Sequence, residues 1–276
     1  MPHAYVLGSP IGHSLSPVLH RAAYAALGLT DWTYSAEEVD LATFGGFVAD
    51  CGEDVRGLSL TMPLKEIAFT VVDHVSDRAR LAGAINTLVR REGGWFGDNT
   101  DIAGIVAALT PPGAEDLAPD AAGLILGAGA TARSAVIALD ALGATRLTVA
   151  ARSIDRARDS LLSLTQSLDL DVRFIELTQW PSASAPVIVS TLTPAGGAVA
   201  AQALSDSGIT LSGCRLLDVG YAEWPTPLAQ AATAVGAQVV SGLDMLVHQA
   251  VEQVDLMTGA RPDPQVLLTA GRAAIA

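Results

Sequence analysis

Along the first hundred residues, apolar positions fall into short runs punctuated by glycine, proline and small polar residues. HAYVLGSP (3–10) has the length and the turn ending of a short buried strand. Ser16-Pro17 then predicts a helix to about Gly28, with serine as its N-cap and proline in its first turn. Residues 32–36 read as strand and 40–50 as helix, and DVRGLSLTMP (54–63) is a strand running into a proline turn. Helical segments are predicted near 64–72 and 76–82. AINTLVRREGGWFGDNTD reads as two strands joined by a Gly-Gly turn. Asn99 or Thr100 is placed to cap a helix over about 101–109.

TPPGAEDLAPDAAG (110–123) is rich in proline, glycine and acids and reads as a surface connection. Beyond it the pattern changes to alternating strand and helix. Strands are predicted at 123–127, 146–152, 172–177, 186–191, 215–221 and 237–242, and helices at 129–142, 153–167 and 226–235. Such a βαβ series predicts a parallel sheet with helices on both faces. The last stretch, 243–275, has a helical pattern.

Composition narrows the possibilities. Half of the 276 residues are hydrophobic and the mean hydropathy is +0.39, enough apolar material for a large core. A net charge of −13 argues against binding the phosphate backbone of nucleic acid, which needs a basic face. Cys51 and Cys214 read as two reduced, packed thiols, and no metal-ligand spacing is present. The N-terminus has no basic segment leading into an apolar one, and no run approaches the roughly 18 apolar residues of a membrane span. A soluble, cytoplasmic protein is expected. One detail stands out: Lys65, in LTMPLKE, is the only lysine in the chain.

The strongest local signal is GLILGAGATARSAVIAL. Gly127, Ala128, Gly129, Ala130, Thr131 and Ala132 fit G-x-G-x-x-G/A, directly after an apolar strand and opening a helix. Glycines there allow a tight turn and close approach of backbone N–H groups to a pyrophosphate, and the helix N-terminus favours the anion. The next strand ends in TVAARSIDRAR. Where an NAD site usually carries an acid for the ribose hydroxyls, this chain has Arg152 and Ser153, with Arg156 one helical turn on. Two guanidinium groups and a hydroxyl suit a 2′-phosphate, so NADP is the expected cofactor.

Four other segments are rich in small polar residues: GSPIGHSLSP (8–17), LTMPLKE (60–66), GAINT with GDNTD (83–87 and 97–101), and SGLDMLVHQA (241–250). Each falls at a predicted strand end or helix start, where side chains gather around ligands. Their hydroxyls, amides, one ammonium and one carboxylate suit a small polyhydroxylated carboxylic acid as substrate.

These segments resemble the shikimate dehydrogenase family. The shared motifs are collinear over almost the whole chain: G-x-P-I-x-H-S-x-S-P, L-T-x-P-x-K-E, A-x-N-T, G-D-N-T-D, the G-A-G turn, R-S-x-x-R, and G-x-x-M-L-x-x-Q-A. The resemblance implies NADPH-dependent reduction of 3-dehydroshikimate to shikimate on the route to aromatic amino acids. It implies that Lys65 and Asp101 form the catalytic pair and also bind substrate. Ser14 and Ser16 would hold the substrate carboxylate, and Thr61, Asn86 and Gln249 the ring hydroxyls, with Tyr221 on the substrate side. Val219 and Gly242 would join the cofactor site. His13 and His248 lie inside motifs and read as structural. Some positions depart from the commoner pattern: Ser59 for asparagine, Ala130 for a third glycine, Ala151 for an asparagine before Arg152, and Ser190-Thr191-Leu192 for an Asn-Ala-Thr type segment.

The implied fold is α/β in two domains with a cleft between them. A substrate domain takes residues 1–103 and is completed by C-terminal helices 240–276, and a Rossmann-type domain takes 104–239. Closure about a hinge is the motion such an arrangement implies. Either a monomer or a homodimer is compatible, and either member of the Lys65–Asp101 pair can hold the transferred proton. Two rival readings are an NAD-dependent quinate/shikimate dehydrogenase of catabolism and a non-catalytic dinucleotide sensor. The missing acid after TVAA opposes the first, and a sensor has no use for Lys65 with Asp101.

Overall fold

The structure is a computed structural model describing residues 1–111, 113, 121–183 and 185–275; most of the expected connection at 110–123 lies outside the described residues. The chain divides into two compact units, Met1–Gly104 with Leu246–Ala276, and Ile105–Met245.

The first unit opens with β1 (His3–Gly8), α1 (Ser16–Ala26), β2 (Thr33–Glu38), α2 (Phe44–Asp50) and β3 (Val55–Leu60). After them come the short β4 (His74–Val75), α3 (Asp77–Ala82), β5 (Thr87–Arg91), β6 (Gly94–Asp98) and α4 (Asp101–Leu109), which runs on into the second unit. Its sheet is mixed, in the order β2-β1-β3-β5-β6-β4. β1 pairs in parallel with β2 and β3, whereas β5 runs antiparallel to β3 and β6. Leu7, Phe44, Leu58, Leu64, Ile85, Leu88 and Trp95 are among the buried residues of one core against it. α3 shows how local chemistry sets its limits. Ser76 caps it by accepting from Ala79 N–H at 3.1 Å, and Gly83, at φ 58°, ends it in the left-handed region.

The second unit carries β7 (Ala122–Leu126), α5 (Ala130–Ala141), β8 (Arg146–Ala151), α6 (Ile154–Ser167), β9 (Asp171–Glu176), β10 (Val187–Ser190), α7 (Pro194–Ser207), β11 (Arg215–Asp218), α8 (Pro227–Ala234) and β12 (Gln238–Ser241). Its sheet has the order β12-β11-β10-β7-β8-β9 with every pairing parallel. The order reverses beside β7, so the loops after β7 and β10 diverge at a switch point of the sheet. Central strands such as β10 (VIVS) are buried at every position, as parallel strands covered on both faces must be. α9 (Gly242–Thr258) leads back into the first unit, where α10 (Pro264–Ile275) packs on α1.

Four local expectations need correction. Ser16 does not cap α1: it is the first helical residue, Leu15 precedes it, and no side chain caps that end. The Ser14 hydroxyl accepts from Ser16 N–H at 3.3 Å, and Ser16 itself is buried. Residues 64–72 do not form a regular helix; only a 3-10 turn at Ile67–Thr70 is present. The helix expected over 40–50 begins at Phe44, because Asp40 instead folds its carboxylate onto the N–H groups of Ala42 and Thr43. Finally, α7 has no counterpart among the expected helices. The sequence pattern assigns no element to 194–207; there Thr193 caps the helix, Pro194 opens it, and Gly196 and Gly197 are buried in it.

Among the described residues, no helix is long and apolar enough to cross a membrane.

Candidate active site

In the first unit, LTMPLKE folds as a turn that fixes Lys65 at the end of β3. Leu64 N–H donates to Thr61 C=O at 2.8 Å, closing the turn over Met62 and the cis-bonded Pro63. Leu64 is fully buried, and Lys65 C=O accepts from Ile85 N–H at 2.8 Å. The backbone on both sides of Lys65 is therefore tied to the core while its side chain remains 15% exposed. Thr61 sits at the head of the same turn, half-buried.

Asp101 opens α4, and its N–H donates to Asn99 Oδ1 at 3.1 Å. Asn99 in turn donates to Ala84 C=O at 2.9 Å. Just before it, Asp98 anchors the segment. It accepts from Arg78 at 2.7 and 2.5 Å and from Ser76 at 2.6 Å. Burial opposes ionisation of Asp98, but the Arg78 guanidinium, the Ser76 hydroxyl and the Asn99 N–H together outweigh it and hold the carboxyl below the usual carboxylate range.

On this frame Lys65 Nζ donates to Asp101 Oδ2 at 2.6 Å, and Asn86 Nδ2 donates to Asp101 Oδ1 at 2.8 Å. The other carboxylate oxygen is thus used by an amide, so both oxygens have partners. Asn86 lies directly before β5; its Oδ1 accepts from Thr100 N–H and from the Thr87 hydroxyl, each at 2.8 Å. Gln249, on α9, sends its amide N–H back to Leu246 C=O, so its Oε1 faces Asn86 Nδ2 at 3.5 Å. Four of the expected residues, Lys65, Asp101, Asn86 and Gln249, are therefore joined in one cluster within one unit. Ser14 and Ser16 lie at the start of α1, outside this cluster. Tyr221 follows β11 in the second unit, half-buried. No substrate or catalytic role is expected of Thr87 and Thr100 from the sequence, although Thr87 closes the A-x-N-T motif, Thr100 sits inside G-D-N-T-D, and Thr100 is a candidate cap for α4.

The second unit holds a separate cavity of about 610 Å³ at the C-terminal ends of its strands. Gly127, Ala128 and Gly129 form one wall, Arg152, Ser153 and Arg156 another, and Thr191 and Thr193 a third. Gly127 has φ 108°, and a Cβ there would come within 2.5 Å of Thr191 Oγ1. Beside Gly129 there is open space, at the N-terminus of the twelve-residue α5. Free backbone, a helix N-terminus and two exposed arginines fit a phosphorylated dinucleotide. Ala130 and Thr131 begin α5 behind the turn. Val219 and Gly242 lie beyond β11 and β12, outside the cavity lining, where the Gly242 backbone packs on Val219 C=O so closely that no side chain fits. Thr193 was missed along with α7, although Thr193-Pro194 carries the same start signal as other helices here; its hydroxyl accepts from Gly196 N–H at 3.4 Å.

Residues 6–88 match the family model described as the shikimate dehydrogenase substrate binding domain, and residues 242–270 that of the shikimate 5'-dehydrogenase C-terminal domain. The chain is 37% identical over 272 residues to a protein of Xanthomonas euvesicatoria pv. vesicatoria named shikimate dehydrogenase (NADP(+)), covering 97% of this chain and 94% of that one. It is similar to the crystal structure of Mycobacterium tuberculosis shikimate dehydrogenase, with 42% identity, a TM-score of 0.85, and coverage of 99% of this chain and 100% of that one. A shikimate 5-dehydrogenase of Thermus thermophilus, solved in complex with NADP(H) and shikimate, is 32% identical, with a TM-score of 0.85 and the same coverage.

Proposed function

The chain belongs to the shikimate dehydrogenase family, and on that premise we propose that it catalyses the reversible, NADPH-dependent reduction of 3-dehydroshikimate to shikimate. The observation that carries this reading is the Lys65–Asp101 pair at 2.6 Å, braced by Asn86. NADPH, held at the Gly127–Gly129 turn with its 2′-phosphate toward Arg152, Ser153 and Arg156, supplies the hydride when bound.

Lys65 does the polar work on the ketone. Its Nζ directs a hydrogen bond at the carbonyl oxygen, stabilises the negative charge that develops there and delivers the proton. Asp101 aims the ammonium and takes part in proton exchange, so that the pair acts as a unit. Asn86, Gln249 and Thr61 hold ring hydroxyls, Ser14 and Ser16 hold the carboxylate, and Tyr221 completes the substrate side. Arginine would not replace Lys65, because a guanidinium keeps its proton. The free thiols Cys51 and Cys214 suit a reducing cytoplasm.

A catabolic, NAD-dependent quinate dehydrogenase is disfavoured by the end of β8, where Ala150-Ala151-Arg152 offers no carboxylate for ribose hydroxyls. Initial rates with shikimate and with quinate, each with NADP and with NAD, test the assignment. Shikimate with NADP is expected to dominate; a preference for quinate with NAD would overturn it.

A further inference from the structure

Behind the Lys65–Asp101 pair lies a buried chain of polar side chains whose members beyond Asn86, namely Thr87, Gln253, Ser59 and Tyr34, the proposed reaction does not itself use. Its joint is Gln253 on α9, 1% exposed and one helical turn beyond Gln249, on the same face. The amide has two distinct sides. One side donates to Asn86 C=O at 3.3 Å and to the Thr87 hydroxyl at 3.0 Å. A carbonyl only accepts, so this side must be the NH2 group. The opposite oxygen then accepts from the Ser59 hydroxyl at 2.7 Å and from His20 Nε2–H at 3.2 Å.

Direction propagates from that one constraint. The Thr87 oxygen receives a bond from Gln253, which leaves its proton for Asn86 Oδ1 at 2.8 Å. Asn86 Oδ1 is thereby an acceptor, and its NH2 group turns to Asp101 Oδ1. In the other direction, Ser59 gives its proton to Gln253, so its oxygen accepts from the Tyr34 hydroxyl at 2.6 Å. One continuous, oriented chain therefore runs from Tyr34 to Asp101, through groups that are all buried. An isolated amide at this depth would be costly; a fully partnered one specifies a single arrangement.

We propose that Gln253 is a positioning residue for the reaction: its amide sets the direction of the Thr87 hydroxyl, and through it the orientation of Asn86 against the Lys65–Asp101 pair. This proposal rests on the reading that Lys65 and Asp101 act on shikimate.

The test is steady-state kinetics with shikimate and NADP on Gln253→Leu, Thr87→Val, the double variant and Thr87→Ser, with Lys65→Ala alongside. Gln253→Leu is expected to lower kcat/KM for shikimate about 5- to 30-fold, the range set by losing a buried hydrogen bond, with KM for NADP unchanged. Thr87→Val should reproduce that loss, the double variant should be no worse than either single one, and Thr87→Ser should retain activity. Should Gln253→Leu fail to fold, Thr87→Val, which alters no shape, carries the comparison with Thr87→Ser. Wild-type kcat/KM in Gln253→Leu or Thr87→Val, or losses that add fully in the double variant, would overturn the proposal. So would equal changes in the shikimate and NADP constants. If instead Lys65→Ala keeps near-normal kcat, the catalytic reading itself fails, which the Gln253 and Thr87 variants do not decide.

Discussion

Asp101 binds Lys65 through one carboxylate oxygen and Asn86 through the other, at 2.6 and 2.8 Å. The lone lysine of the chain is thus held by a carboxylate whose orientation is itself fixed by an amide. Exposures of 15% and 7% leave the pair reachable yet shielded, where a charge-assisted hydrogen bond is strong.

Removing the ammonium separates binding from chemistry. Lys65→Ala is expected to lower kcat by about 10²–10⁴-fold with a much smaller rise in KM for shikimate. Lys65→Arg should be nearly as impaired, because it keeps the charge and not the exchangeable proton. Purified variants assayed at saturating NADP check this; near-normal kcat in Lys65→Ala would remove it from the chemistry.

At the cofactor cavity, Arg152→Ala should raise KM for NADPH about tenfold or more, as the loss of a charged hydrogen bond to phosphate implies, and leave KM for NADH almost unchanged. Equal effects on the two cofactors would rule out a 2′-phosphate contact.

Gly127→Ala places a side chain where φ is 108° and where its Cβ lies 2.5 Å from Thr191 Oγ1. Strain of about 1–3 kcal/mol is expected, seen as a lower Tm together with weaker NADPH binding. A variant with unchanged Tm and unchanged binding by fluorescence titration would refute the fit between this turn and β10.

Acid sensitivity should come in part from His20. Burial pushes its pKa down to about 3, against a weaker opposing hydrogen bond that it donates to Gln253 Oε1. Its ring neighbours, Tyr24 and Tyr34, are kept neutral by the same burial. The unfolded chain takes up the proton near pH 6.5 while the folded chain resists it. The contribution of neutral His20 is therefore complete above about pH 6.5 and declines as pH falls toward 3, by up to about 1.4 kcal/mol per pH unit. Urea unfolding of wild type and His20→Phe between pH 6.5 and 4 should show a shallower slope in the variant. Parallel slopes would place the acid sensitivity elsewhere.

Asp98 adds an ordinary carboxylate dependence. Its lowered pKa means that the clamp on Arg78 and Ser76 is intact above the unfolded value and is lost as pH falls through the folded one. Asp98→Asn should flatten the stability profile below about pH 4 and lower Tm at neutral pH, measured by calorimetry.

Local pattern carried much of the second unit, since buried parallel strands write themselves as apolar runs and Gly127-Ala128-Gly129 marks the turn between β7 and α5. It also marked Lys65 and Asp101, which the structure pairs at 2.6 Å, because a single lysine in a rigid turn and an acid opening a helix are visible as residues. What failed was competitive: Ser16 looked like a cap, yet Leu15 takes that position and Ser16 is already helical, and residues 40–43 looked helical until the Asp40 carboxylate took the N–H groups of Ala42 and Thr43.

The sequence by itself determined which side chains with hydroxyls, amides and charges were available, and the periodicity of the elements bearing them. Only the tertiary structure decided that Gln253, more than 160 residues from Asn86, returns on α9 to orient it. Hydrogen-bond direction depends on which atoms face each other, and that is settled by packing between elements remote in the chain. No local spacing records it.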